Sequence, residues 1–329
     1  MVSSRWCWSV ALLLSGSCFG AAGCGAEPGD DGGDEGDSQA DTGSDEDAEE
    51  AGETGEPPPG AIEDGRGVYP DVPHIIAFGD VHGDFVAMAE VLLGAGIVDD
   101  EGHWIAGETW VVQVGDQLDR GYQEEEIMNL FEQLRVEAAE AGGRFLALNG
   151  NHEIMQAEGR MDYVFDLEAF GGLEARVEAF APGGEWALVL AKRNVIVKVG
   201  RTVFVHGGAL PEHAALGIEN MNDAAKAWLV GDVPTQPAHI DGSGSIVWDR
   251  TYSDDDPDEI VDNRCELLTA ALAAMDADRI VVAHTIQPGI NAICDDRAWR
   301  IDTGMADYYG GPIEALEITG DVASVIQME

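Results

Sequence analysis

Five short polar stretches carry residues able to do chemistry: Gly79-Asp80-Val81-His82-Gly83, Gly115-Asp116-Gln117-Leu118-Asp119-Arg120-Gly121, Gly150-Asn151-His152-Glu153, His206-Gly207-Gly208 and Ala283-His284-Thr285. Oxygen and imidazole donors without thiolates suit hard or borderline metals such as Mn, Fe or Zn. Asp80 and His82 alternate along an extended loop, so both can point to one side, and the flanking glycines let the backbone approach closely. Taken singly, each stretch has a plainer reading. Asp80 could be a turn residue or helix cap, Asn151-His152 an Asn turn with a surface histidine, His206 and His284 satisfied structural histidines, and Arg120 the ion-pair partner of Asp119. Together these plain readings fail, because every group sits just past an apolar strand and four of the eight histidines occupy these positions. The set predicts a dinuclear metal site.

The elements that must position these groups are legible from periodicity. His74–Phe78 reads as a strand ending at the first stretch, and Asp84 is placed to cap the helix that follows and ends in glycine. Thr109–Val114 is a second strand, followed by the helix EEEIMNLFEQLRVEAAE, and Arg144–Leu148 is a third strand running into Asn151-His152. Three strand-loop-helix units imply parallel pairing with crossover helices, which places every polar loop at the carboxyl ends of the strands, where open α/β sheets bind ligands. Ile154–Leu190 reads as helical and irregular cover. Asn194–Val199 and Thr202–Val205 predict a hairpin leading to His206. A helix near Met221–Leu229, the loop SIVWDR, a helix over Glu259–Met275 and a strand Arg279–Ala283 ending at His284 follow. The turn in ITGDVAS predicts a hairpin closing the second sheet.

Three segments of different character divide the chain. Residues 1–24, with one arginine, an apolar run and small residues leading to Cys24, read as a secretory signal, and Ala21-Ala22-Gly23-Cys24 resembles a bacterial lipoprotein box with alanine where leucine is usual. Residues 25–67 are Asp, Glu, Gly, Ser, Thr and Pro with almost nothing apolar, the composition of a disordered acidic tether. Residues 68–329 are long enough for one sizeable core. With 17 Lys and Arg against 63 Asp and Glu, a net charge of −46, the chain is ill suited to a nucleic-acid backbone, which needs basic surface. The expected location is export, with a lipid anchor at the periplasmic face or cell surface. Of five cysteines, Cys265 and Cys294 lie in the folded part and could pair in an exported protein, but sequence does not show whether they meet.

GDVHG, GDQLDRG, GNHE, FVHGG and AHT resemble the motifs of the calcineurin-like metallophosphoesterases, specifically the phosphoprotein phosphatase branch. The NHEIM, VWDR and WRIDTGM segments look most like the Shewanella-like phosphatases, and the resemblance runs through Val72–Gln327. It implies a four-layer α/β/β/α sandwich with two mixed sheets. It further implies that Asp80 and His82 hold a first metal ion, that Asp116 bridges two, and that Asn151, His206 and His284 complete the second, with divalent or trivalent Mn, Fe or Zn as the cofactor. By the same resemblance a metal-bridging hydroxide attacks phosphorus directly, Arg120 and Arg250 hold the phosphoryl oxygens, and His152 protonates the leaving oxygen while Asp119 orients it. Ala283 stands where many superfamily members carry glycine before the last histidine. The expected substrate is a phosphomonoester, a phosphoprotein with phosphotyrosine as first choice or a small phosphoester. The alternatives are a dinucleotide polyphosphate hydrolase and a non-catalytic surface binding lipoprotein.

Overall fold

A computed structural model of the chain describes residues 67–256 and 260–328. The expected signal, lipobox and most of the tether lie outside the described residues. The chain runs through β1 (Val68–Tyr69), β2 (His74–Phe78), α1 (Phe85–Gly94), β3 (Trp110–Gln113), α2 (Glu124–Glu140), β4 (Arg144–Ala147) and α3 (Asn151–Ala157). Next come α4 (Leu173–Phe180), α5 (Glu185–Leu190), β5 (Ile196–Val199), β6 (Thr202–Val205), α6 (Pro211–Ala214), α7 (Ile218–Leu229) and α8 (Arg264–Met275). β7 (Arg279–Val282), β8 (Asn291–Ile293), β9 (Ala298–Arg300), β10 (Glu314–Thr319) and β11 (Val322–Gln327) complete it.

The strands form two mixed sheets, β11-β10-β2-β3-β4 and β1-β5-β6-β7-β9-β8. β2, β3 and β4 are parallel, as their crossover helices require. β2 is an almost continuous apolar run because both of its faces are buried. Ile75 and Ala77 join Val112, Val197, Phe204 and Val281 in a core between the sheets. Ile76 and Phe78, one residue out of phase, pack with Met88 and Leu92 of α1 and Ile127 and Phe131 of α2. A third core lies between the second sheet and α4, α5, α7 and α8. The result is the expected α/β/β/α layering. Asp84 caps α1 by accepting from the Ala87 amide at 3.0 Å, and three glutamates in the first turn of α2 favour its helix dipole. No helix among the described residues is long and apolar enough to cross a membrane.

Two expectations need correction. The β10–β11 hairpin forms, but it extends the first sheet: β10 pairs antiparallel with β2, with Leu316 opposite Ala77. β10 can take that place because it buries both faces, Ala315 toward the helices and Leu316 and Ile318 between the sheets. The helix expected from Glu259 begins at Arg264. Ile260 N bonds back to Asp256 O at 2.9 Å, and the helix takes its first bonds from Asn263 O. Glu259 itself lies outside the described residues. Cys265 of α8 and Cys294 just past β8 meet in a disulfide, Cα to Cα 5.3 Å.

Candidate dinuclear metal centre

Loops from five strands bring the predicted residues to one place. β2 delivers Asp80 and His82, β3 delivers Asp116, Asp119 and Arg120, β4 delivers Asn151 and His152, β6 delivers His206 and β7 delivers His284. The first three strands belong to one sheet and the last two to the other, so the cluster spans the edge where both sheets end. All the carboxylates and histidines named are buried.

Unusual backbone makes this convergence possible. His82, Asp116, Asp119, Arg120 and His284 all adopt left-handed φ, between 43° and 69°, a conformation that disfavours side chains bearing Cβ. Gly115 and Gly150 let the second and third loops touch, since a Cβ on Gly115 would fall 2.7 Å from the Gly150 Cα. Glu153 then ties those loops together. Its carboxylate accepts from the amides of Gly150 (2.7 Å), Asp116 (2.8 Å), Gln117 (2.8 Å) and Leu118 (3.2 Å).

Hydrogen bonds fix the tautomers of two histidines. His82 Nδ1 lies 3.0 Å from the Leu118 carbonyl and His206 Nδ1 lies 2.8 Å from the Val114 carbonyl. A carbonyl only accepts, so each Nδ1 carries a proton; His82, kept neutral by burial, presents an Nε2 lone pair inward, and His206 turns its Nε2 to the same place. His206 Nε2 faces Asn151 Oδ1 at 2.9 Å and Asp116 Oδ2 at 3.2 Å. His82 Nε2 faces Asp80 Oδ2 at 3.7 Å and Asp116 Oδ2 at 3.8 Å, and also accepts from Arg120 Nη1 at 3.2 Å. His284 Nε2 is buried with no hydrogen-bond partner. Ring nitrogens turned toward carboxylate oxygens call for a cation between them, so the donor set fits metal ions. Ligand atoms of His82, Asp116 and His152 lie within 4.8 Å of one another, as do those of Asp116, His206 and His284. Asp116 is common to both groups.

Charge within the cluster follows from burial. Burial, then the charges of Asp302 and Asp116, raise the Asp80 carboxyl well above its usual range. Burial also opposes ionisation of Asp116, but its neighbouring histidines, His206 foremost, outweigh it and hold this carboxyl low. Burial and neighbouring His152 push the His82 imidazole down to about 3, and burial with the charges of His206 and Arg250 depresses His284. Both rings are therefore neutral and ready to ligate without losing a proton.

His152 is held differently. Its Nδ1 lies 2.5 Å from Asp119 Oδ2, which fixes the orientation of the ring. Asp119 is gripped in turn, with Gln156 Nε2 donating to its Oδ1 at 3.0 Å and its own amide donating to Glu124 Oε1 at 2.6 Å. Arg176 of α4, fully buried, donates to Glu124 through Nη1 and Nη2 (2.5 and 2.7 Å) and to Gln156 Oε1 through Nε (2.8 Å). Arg250 lies at the exposed side, where its Nη1 donates to Thr285 Oγ1 at 3.0 Å beside His284. The Arg120 guanidinium stacks on three rings, at 5.0 Å from Tyr163, 5.3 Å from Tyr309 and 5.9 Å from Tyr308.

Sequence reading missed several of these groups. Glu153 and Asp302 sit inside motifs that were noticed, GNHE and WRIDTGM, where the carboxylate itself was the available signal. Asp302 is buried beside Asp80, and burial pushes its carboxyl up to about 6, against the Gly304 amide it accepts from. Arg176, Glu124 and Gln156 gave one weak sign, an arginine in an otherwise acidic and apolar helix.

Comparison with known proteins agrees with this geometry. The calcineurin-like phosphoesterase family matches residues 73–288. Shewanella-like protein phosphatase 2 of Arabidopsis thaliana is 35% identical over 297 residues, covering 75% of each chain. Shewanella-like protein phosphatase 1 of Plasmodium berghei is 31% identical, over 72% of this chain and 69% of the relative. Among solved structures, the cold-active protein-tyrosine phosphatase of a psychrophilic Shewanella species superposes with a TM-score of 0.67 at 22% identity, over 79% of this chain and 82% of that one. At that identity the likeness speaks for the fold alone.

Proposed function

Because the chain belongs to the calcineurin-like phosphoesterases, with Shewanella-like protein phosphatases among its relatives, we propose that it hydrolyses phosphomonoesters of proteins with two metal ions, phosphotyrosine first among them. The observation that carries this is Asp116, shared by two groups of ligand atoms whose imidazole nitrogens face its carboxylate. Asp80, His82 and Asp116 would hold one ion, and Asp116, Asn151, His206 and His284 the other, with Mn, Fe or Zn suited to these donors. When bound, such a pair supplies Lewis acidity toward the phosphoryl oxygens and an activated water for in-line attack.

The protein's own groups do the rest. Arg120, stacked on Tyr163 and Tyr309, and Arg250 meet the phosphoryl oxygens with planar guanidinium forks. His152, oriented through Nδ1 by Asp119, donates a proton from Nε2 to the departing oxygen. The rings of Tyr163 and Tyr309, 5.4 Å from His152 and 5.6 Å from His82, flank the place where a phosphoester's organic group would sit, which supports an aryl ester. The Cys265–Cys294 bond supports an oxidising compartment, in line with an exported protein anchored through a lipidated Cys24, with residues 25–67 as tether and 68–329 as the catalytic domain. The deciding experiment is hydrolysis of p-nitrophenyl phosphate by chelator-treated protein resupplied with Mn, Fe or Zn. Turnover restored by one of them is expected; absence of turnover with all three at any mild pH refutes the reading.

A further inference from the structure

Outside the cluster of ligands, three large rings stand exposed in a row. Tyr122, Phe165 and Tyr308 are 67%, 41% and 55% exposed. Tyr122 and Phe165 lie 5.9 Å apart and Phe165 and Tyr308 lie 5.6 Å apart, centroid to centroid. They come from three separate segments: the turn before α2, the loop after α3 and the loop after β9. Contiguous apolar surface of this kind marks an interaction site more often than chance exposure.

The row is continuous with the phosphate site. Tyr308 packs edge-on against Tyr309 at 4.7 Å, Tyr309 meets His82 at 5.6 Å, and Arg120 lies under both tyrosines. Its position is fixed by hydrogen bonds to the same loops that carry His82 and Arg120. The Asp307 amide donates to Asp84 Oδ2 at 2.6 Å, and the Arg120 amide donates to Tyr163 O at 2.9 Å. The inner rings, Tyr163 and Tyr309, border the phosphate-bearing group. The outer three begin at Tyr308, whose ring touches that of Tyr309 at 4.7 Å, so a neighbouring side chain of a bound peptide, roughly 7 Å away two residues along an extended strand, can reach them.

We infer that Tyr122, Phe165 and Tyr308 form a docking shelf for an apolar, best aromatic, side chain one or two residues from the phosphorylated residue of an extended protein substrate. The inference rests on the phosphatase reading above and adds a recognition element to it. Electrostatics favours an apolar occupant: a chain of net charge −46 repels an acidic phosphopeptide at long range, so affinity beyond the phosphate must come from buried ring area. A small phosphoester would never reach the shelf.

Two synthetic phosphotyrosine peptides, identical except for Phe or Gly flanking the phosphoresidue, test it against wild type, Phe165→Ser and Tyr122→Ser, with p-nitrophenyl phosphate as the short substrate. Wild type should show a KM about tenfold lower for the Phe peptide, about 1.4 kcal/mol, at similar kcat. Each Ser variant should raise that KM toward the Gly value while leaving p-nitrophenyl phosphate turnover unchanged. Equal KM for the two peptides in wild type, or variants that slow p-nitrophenyl phosphate as much as the Phe peptide, would overturn the shelf alone. No hydrolysis of p-nitrophenyl phosphate by the metal-supplied wild type would overturn the phosphatase reading and the shelf with it.

Discussion

Replacing Arg176 by methionine should reach the candidate proton donor without touching it. The guanidinium is fully buried and forms a bidentate pair with Glu124. Methionine fills a similar volume but leaves the Glu124 carboxylate buried and unpaired, which costs about 3–5 kcal/mol when one partner of a buried ion pair is removed. At about 2–4 °C per kcal/mol for a domain of this size, melting should fall by roughly 6–20 °C. Glu124 also accepts the amide of Asp119, and Gln156, freed from Arg176, no longer holds Asp119 Oδ1 in place. His152 should therefore lose orientation. The double variant Glu124→Gln/Arg176→Met removes the unpaired charge and should recover most of the stability, which separates folding from function. In that folded background, turnover of phenyl phosphate should drop by roughly tenfold more than that of p-nitrophenyl phosphate, whose leaving group needs little protonation. Differential scanning calorimetry and paired rate measurements read both effects. An Arg176→Met protein within 1 kcal/mol of wild type, or a double variant that slows both esters equally, would refute the reasoning.

Asp116→Asn should lose both metal ions together by elemental analysis, because both groups of ligand atoms share that carboxylate; two equivalents retained per chain would contradict the bridging role. His152→Asn should slow alkyl phosphates by at least tenfold more than aryl phosphates with good leaving groups, and equal slowing would remove it from proton donation. Burial lowers the His239 imidazole below its usual value, against the bond its Nε2–H donates to Met221 O at 2.9 Å. Its contribution to stability is thus present above about pH 6.5 and lost as pH falls through the lower folded value. Urea titrations should show wild type losing more stability than His239→Gln between pH 7.5 and 5; parallel losses would refute it.

The strands and the five loops after them were readable in the sequence because short continuous apolar runs end in polar, metal-liganding residue types at each carboxyl edge. The convergence of Asp80, Asp116, His206 and His284 followed from that pattern alone. The Arg176–Glu124 pair did not, since its partners lie 52 residues apart and neither sits in a motif. The placement of β10 beside β2 depends on which sheet edge remains free after every other strand has docked, and local patterning carries no record of that. Glu153 was visible but mute: its type fits a helix first turn, and only the fold shows four amides converging on it.

The left-handed residues of the centre bear on how this protein can change over time. Each of His82, Asp116, Asp119, Arg120 and His284 holds a conformation costing about 1–2 kcal/mol for a residue with a Cβ, and glycine would adopt it freely. A lineage no longer selected for these side chains can therefore shed that backbone cost at any of the five positions, set against the bonds the lost side chain made, such as those of Asp119 to His152 and Gln156. All five positions of this chain still carry the costly residue.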